Sequence, residues 1–349
     1  MILPRSDPAS LQRCVDALRA GGLVGMPTET VYGLGADASR ETAVAAIFSA
    51  KGRPANHPLI VHVADLDGGL SGLAHFARKV PDFAKALVQS FWPGPLTLIV
   101  PRQRGVAQAA AGGQDSIGLR CPAHPQAQAL LRALRQDGGP VVWGIAAPSA
   151  NRFGRVSPTT AAHVQSELGD AGANGALPIW DGGPCALGIE STIVDCTRGA
   201  PVLLRPGSIS AQQIEQACGQ SLHTAHTHQV KLGAAPRAPG TLESHYAPRA
   251  TVRLLDALAL QAALWARSAH ADQQADAIAV YARTFTPTQG PGLVLRNMPL
   301  DAAQAAHALF AVLRELDEQG VAQIWVEAVP ASAAWAGVAD RLERASAAR

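Results

Sequence analysis

Two short stretches concentrate hydroxyls, carboxylates and cations where core building does not ask for them. Pro27-Thr28-Glu29-Thr30-Val31-Tyr32-Gly33-Leu34-Gly35 follows the strand-like run Leu23 to Met26, and strand ends are where open α/β sheets receive ligands. Its Thr side chains could equally satisfy their own backbone, and its Gly-x-Gly lacks the third glycine and helix of a dinucleotide fingerprint. Lys51-Gly52-Arg53-Pro54 closes a helical pattern over Glu41 to Ala50 that Ser39 can cap. Gly52 and Pro54 should stop that helix, leaving Lys51 and Arg53 on an exposed turn where both can converge on a polyphosphate. Simple compensation of the helix C-terminal dipole is the alternative.

Further along, Pro148-Ser149-Ala150-Asn151 leads through Arg155 to Ser157-Pro158-Thr159. Ser157 before Pro158 reads as an N-cap with proline at the first helical position, so free N–H groups would face an anion beside Ser149, Asn151 and Arg155. Glu190-Ser191-Thr192 and Leu204-Arg205-Pro206-Gly207 set polar groups at the margins of apolar strands, as ordinary edge strands also do. His223, His226 and His228 have zinc-like spacing, but no Cys or second ligand cluster accompanies them. Trp92 and Trp143 are expected in the core, and His62, closing Leu59-Ile60-Val61, is either a core imidazole or a ligand group.

The elements that must position these residues alternate in type. Strands are expected at Leu23 to Met26, Leu59 to Val63, Leu96 to Val100, Ser116 to Arg120, Val141 to Ala146, Ser191 to Asp195 and Val202 to Leu204. Helices are expected over Glu41 to Ala50, Leu73 to Val88 and Pro158 to Leu168. Direct strand-to-strand joins predict a mixed sheet. From about Gly207 to Pro248 the periodicity fails apart from a short helix at Ala211 to Cys218, which reads as a linker, and strand–helix alternation then resumes to the end.

Composition narrows the class. The 349 residues exceed one ordinary core, with 48% hydrophobic and 16% charged residues, so two globular domains are expected. A net charge of +2 gives no global field for a nucleic acid, although a local cluster can hold a small anion. Five scattered cysteines without a CxxC pair favour a reducing cytoplasm, and no stretch has the length of a membrane span or the pattern of a signal peptide.

Taken in order, PTETVYGLG, KGRP with PLIVHV, FWPGPLTLIV, the Arg120 strand, APSAN with SPT, GIESTIVD and LLRPG resemble the threonylcarbamoyl-AMP synthase family. The resemblance runs from about Leu11 to Gly207, and Ser244-His245-Tyr246-Ala247-Pro248 is similar to the linker signature of the family's two-domain form. It implies an α/β fold: a YrdC-like mixed twisted sheet with flanking helices over 1–207, a linker or lid over 208–248, and a smaller Rossmann-like α/β domain over 249–349. It also implies a nucleotidyltransferase that condenses L-threonine, bicarbonate or CO2 and ATP to threonylcarbamoyl-AMP and pyrophosphate, for N6-threonylcarbamoyladenosine formation in tRNA.

By the same resemblance Thr30, His62, Arg120, Ala147 and Ser191 would line a threonine pocket. Lys51, Arg53, His57, Ser116, Ser149, Asn151, Ser157, Arg205 and Tyr246 would hold ATP, with Lys51 and Arg53 acting in catalysis. Mg²⁺ would arrive with ATP, and the chain itself would hold no metal. The implied partners are the downstream tRNA threonylcarbamoyl-transfer proteins, with weak tRNA contact and no membrane. His57 stands where the family usually has Asn, and Phe153 where a small residue is usual. An RNA-binding or ribosome-maturation module remains the alternative; it calls for a basic stripe with interleaved aromatics, whereas aromatics are 5% here.

Overall fold

The computed structural model describes residues 1–136, 138–172, 175–224, 236–240, 245–269 and 276–347. Contacts divide the chain into one unit of Met1–Phe153 with Ser157–Thr241 and another of Gly154–Val156 with Leu242–Arg349.

In the first unit, the central strands are short, mostly apolar runs covered on both faces, while those at the sheet edges are partly exposed. These are β1 (Ile2–Leu3), β2 (Val24–Met26), β3 (Gly33–Asp37), β4 (Ile60–His62), β5 (Leu96–Pro101), β6 (Ser116–Arg120), β7 (Ile145–Ala146), β8 (Ile179–Trp180), β9 (Thr192–Asp195), β10 (Val202–Arg205) and β11 (His223–Thr224). They make one mixed sheet in the order β1-β8-β2-β3-β7-β4-β6-β5-β9-β10-β11. The helices are α1 (Pro8–Arg19), α2 (Glu41–Lys51), α3 (Leu70–Phe76), α4 (Asp82–Phe91), α5 (Pro125–Gln136), α6 (Ala161–Leu168) and α7 (Ala211–Cys218). One apolar cluster joins Val44 and Ile47 of α2, Leu87 of α4 and Ile214 of α7 to Leu34, Val61, Leu98 and Leu119 of the strands. Another joins Cys14 and Leu18 of α1 and Leu130 and Leu134 of α5 to Val24, Met26 and Ile145.

Strand alternation sets the functional face. Along β4, Val61 enters the larger core while Ile60 and His62 point the other way; along β5, Leu96, Leu98 and Val100 enter it while Thr97 and Ile99 do not. The register pairs His62 with Arg120 and Thr97 with Arg120.

Several expectations change. The run read as one helix from Leu73 to Val88 splits, because Ala77 is extended and bridges Arg102 while Pro81 caps α4. The helix expected from Pro158 starts at Ala161 with Thr160 as its cap, since Pro158 O is taken by the Tyr32 amide and Thr159 O by that of Cys185. Arg40 rather than Ser39 precedes α2, and the Ser39 amide bonds the Asp37 carboxylate instead. Only Ile145–Ala146 of the expected Val141 strand pairs. Trp92 is core, but Trp143 is half-buried between the His75 ring and the Arg135 guanidinium.

In the segment read as a linker, α7 is held by a Ser210–Gln213 capping box, and β11 extends the sheet beside β10. His226, His228 and Ser244 lie outside the described residues. The second unit contains β12 (Thr251–Leu255), α8 (Ala257–Ala269), β13 (Ile278–Ala282), β14 (Leu293–Asn297), α9 (Ala302–Glu318), β15 (Gln323–Glu327) and α10 (Ala336–Ser346). Its four strands, in the order β12-β15-β13-β14, are parallel throughout. Together the two sheets give the α/β class expected from the sequence, a large mixed sheet and a smaller Rossmann-like one.

Candidate active site

Arg120 ends β6 on the face shared with His62 and Thr97. Its Nη1 donates to Thr30 Oγ1 at 2.8 Å, its Nε to Gly94 O at 3.3 Å, and its Nη2 lies 2.6 Å from Glu29 Oε1. Thr28 shapes the turn that presents Thr30: its hydroxyl donates to Val31 O and accepts from the amides of residues 30 and 31. Ser191 joins from the start of β9, its hydroxyl 2.7 Å from that of Thr97. The Ala147 amide donates to Ile60 O at 2.9 Å, which holds the chain after β7 against β4. The five residues assigned to threonine therefore share one sheet face and its rim. Burial above all, with the Arg120 charge second, pushes the His62 pKa down to about 3, so the imidazole is neutral at pH 7.

The cation pair departs from expectation in one respect. Lys51 and Arg53 are only 3% and 8% exposed, not displayed on an open turn. Gly52 does end α2, at φ 63° in the left-handed region, and this reversal folds both side chains inward. Lys51 Nζ donates to Ser149 O at 2.6 Å and also to Asn151 O, while the Phe153 amide returns a bond to Lys51 O at 2.8 Å. The end of α2 is thereby stitched to the 148–153 loop, whose Pro148 and Ala150 bond Leu34 and Tyr32. Burial, reinforced by Arg53, holds the Lys51 pKa well below its ordinary value. Two of its three donors serve the protein, which leaves one for a ligand.

Arg53 Nη2 donates to Pro58 O at 2.9 Å, and its guanidinium lies 5.6 Å from the Phe153 ring. Phe153 meets the His57 ring edge-on at 5.5 Å, so the two positions that depart from the family pattern touch each other. Burial first, then Arg53 and Arg237, lowers the His57 pKa. Lys51, Arg53, His57, Ser149 and Asn151 thus form one group.

The remaining nucleotide candidates are placed less uniformly. Arg205 is buried and donates to Ser191 O at 3.1 and 2.9 Å, to Ser191 Oγ at 3.1 Å and to Pro239 O at 3.0 Å. That makes it a brace for the Ser191 loop as well as a cation. Ser157 does not cap a helix; its hydroxyl donates to Glu190 Oε1. Ser116 opens β6, four residues before Arg120 and on the same face by alternation. Tyr246 belongs to the second unit, where it is buried at φ 63°, with its ring 5.3 Å from Phe310 and the Arg341 guanidinium 5.7 Å away.

Sequence reasoning missed Thr97 and the Glu190 bond, and it gave Glu29 no role. Only the pairing register of β5 with β6 and β9 exposes Thr97. Among the described residues no group of three or more His, Cys, Asp or Glu is arranged to hold a metal ion, and no helix is long and apolar enough to cross a membrane. A cavity of about 800 Å³ in the second unit, between α8 and the 285–293 loop, is walled by Trp265, Phe285 and prolines, with Arg267 donating to Asp276 O.

A family model described as "Telomere recombination" matches residues 16–207, and one described as "Threonylcarbamoyl-AMP synthase, C-terminal domain" matches 209–347. The threonylcarbamoyl-AMP synthase of Pyrococcus abyssi is 36% identical, covering 94% of this chain and 92% of that protein. That of Bacillus subtilis is also 36% identical, covering 99% and 95% respectively. The crystal structure titled P. abyssi Sua5 complexed with L-threonine superposes with a TM-score of 0.84 at 34% identity, over 99% of this chain and 97% of that one.

Proposed function

Because this chain belongs to the threonylcarbamoyl-AMP synthase family, we propose that it condenses L-threonine, bicarbonate or CO2 and ATP into threonylcarbamoyl-AMP and pyrophosphate. The observation that carries the reading is the sheet face where Arg120 is held by Thr30 beside neutral His62 and Ser191, adjoining the Lys51–Arg53 group. A guanidinium suits the amino-acid carboxylate, and hydroxyls suit the threonine side chain. Lys51 and Arg53 supply the positive charge that a triphosphate requires.

In this scheme the threonine amine adds to CO2 and releases a proton, giving a carbamate. A carbamate oxygen then forms a bond to the α-phosphorus as the bond to the β-phosphate oxygen breaks, and pyrophosphate leaves with the electron pair. No covalent enzyme intermediate is required, and the chain contributes positioning and charge. In this reading Mg²⁺ enters as part of the nucleotide substrate. Arg205 orients the Ser191 loop, and Phe153 with His57 offers an aromatic wall for a base.

The product would pass to proteins that transfer the threonylcarbamoyl group to tRNA adenosine, with weak tRNA contact by this chain. A reducing cytoplasm accords with five cysteines that are all free. The test is pyrophosphate release with ATP, Mg²⁺, bicarbonate and each amino acid in turn. Threonine-dependent release supports the function; equal release with every amino acid, or none with threonine, overturns it. Tight tRNA binding with a steep salt slope and no threonine dependence would favour the RNA-binding alternative.

A further inference from the structure

We propose that Glu29 receives the α-amino group of the amino-acid substrate, as the negative half of a buried Glu29–Arg120 pair that matches a zwitterion. The proposal rests on reading this face as the threonine pocket. Arg120 is oriented by Gly94 O, Thr30 Oγ1 and Glu29 Oε1, the last at 2.6 Å. Glu29 is 8% exposed, and its second oxygen, Oε2, is buried and accepts no hydrogen bond among the described residues. A buried carboxylate oxygen without a donor is unfavourable, and an α-ammonium brings three donors to it.

Four titratable groups near the pair, His62, Cys121, Cys185 and His124, add no competing charge at pH 7. His62 is held at about 3, and burial pushes the Cys121 and Cys185 thiols up to about 12. His124, also beside Glu29, is lowered by burial against the pull of that carboxylate. The Arg120 guanidinium and the Glu29 carboxylate present both complements that a free α-amino acid carries on a single carbon. With the substrate carboxylate on Arg120 and its nitrogen on Glu29, the atom that becomes the carbamate nitrogen is placed by a residue of the PTETVYGLG loop. A ligand lacking the amino group leaves Oε2 without its donor, so the pair discriminates for the amine as well as for the carboxylate.

Calorimetric binding of L-threonine and of 3-hydroxybutanoate, which is threonine without its amino group, tests this in the full chain. In Glu29→Gln, threonine is expected to weaken about ten- to a hundredfold while the analogue changes less than about twofold. Glu29→Asp keeps a counterion for Arg120, guards against a folding defect in the first variant, and should weaken threonine alone by a smaller factor. Equal losses for both ligands would mean that Glu29 acts only by holding Arg120, and would overturn the proposal. Undiminished threonine binding in both variants would overturn it as well. A wild-type protein that binds no threonine would overturn the pocket reading itself.

Discussion

At the scale of single residues, burial changes what substitution should do. Removing Lys51 leaves the Ser149 and Asn151 carbonyls without their buried donor, at about 1–3 kcal/mol. Lys51→Ala is therefore expected to abolish pyrophosphate release and also to lower the melting temperature by several degrees; an unchanged melt would contradict the stitching role. Arg120→Ala would strand Glu29 as an uncompensated charge, so Arg120→Lys is the cleaner probe. It should raise the threonine KM about ten- to a hundredfold, corresponding to about 1.5–3 kcal/mol, and leave the ATP KM nearly unchanged. A comparable ATP defect would move Arg120 to the nucleotide side. His62 predicts the pH dependence. The unfolded chain binds a proton near pH 6.5 that the folded chain refuses until about pH 3, so stability present above pH 6.5 is lost as pH falls. At pH 5 this one group should lower stability by about 2 kcal/mol, and His62→Gln should flatten that slope in urea titrations. Identical slopes in the two proteins would show that His62 is not responsible.

At the scale of elements, the site depends on close approach between the β9 and β10 segments. A Cβ on Gly207 would stand 2.5 Å from the Thr192 amide and 2.9 Å from Glu190 O, inside contact distance of backbone that cannot swing away. Gly207→Ala should therefore displace the loop that carries Glu190 and Ser191. Activity is expected to fall at least about tenfold, with threonine KM affected more than overall stability; normal kinetics would show that the loop tolerates the shift. The same scale explains where the chain was misread. β3 runs through Gly33 and Gly35, whose lack of side chains disguises a strand, yet lets β7 approach with Ala147 and Ile145 against it. Residues 157–159 look like a helix start because Ser-Pro is a good cap, but tertiary bonds from Tyr32 and Cys185 take their carbonyls, and the helix begins at Ala161.

At the scale of the whole molecule, all five residues proposed for the threonine pocket lie in the first unit. Calorimetry is expected to resolve two unfolding transitions, with threonine at a hundred times its Kd stabilising only the one that belongs to that unit, by about 2.7 kcal/mol. A single transition, or equal shifts in two, would contradict this. The sequence by itself determined the α/β class, the order of the motif blocks and their family, because strand and helix periods and loop chemistry are local properties of the chain. Ser116–Arg120 and Ala211–Cys218 were legible to the residue for that reason. Only the tertiary structure decided that Lys51 and Arg53 turn inward, that Thr97 supports Ser191, and that Glu29 pairs with Arg120 across 91 positions. Those outcomes follow from sheet register and from burial, which raises the cost of every unpaired polar group, and neither is written in the spacing of neighbouring residues.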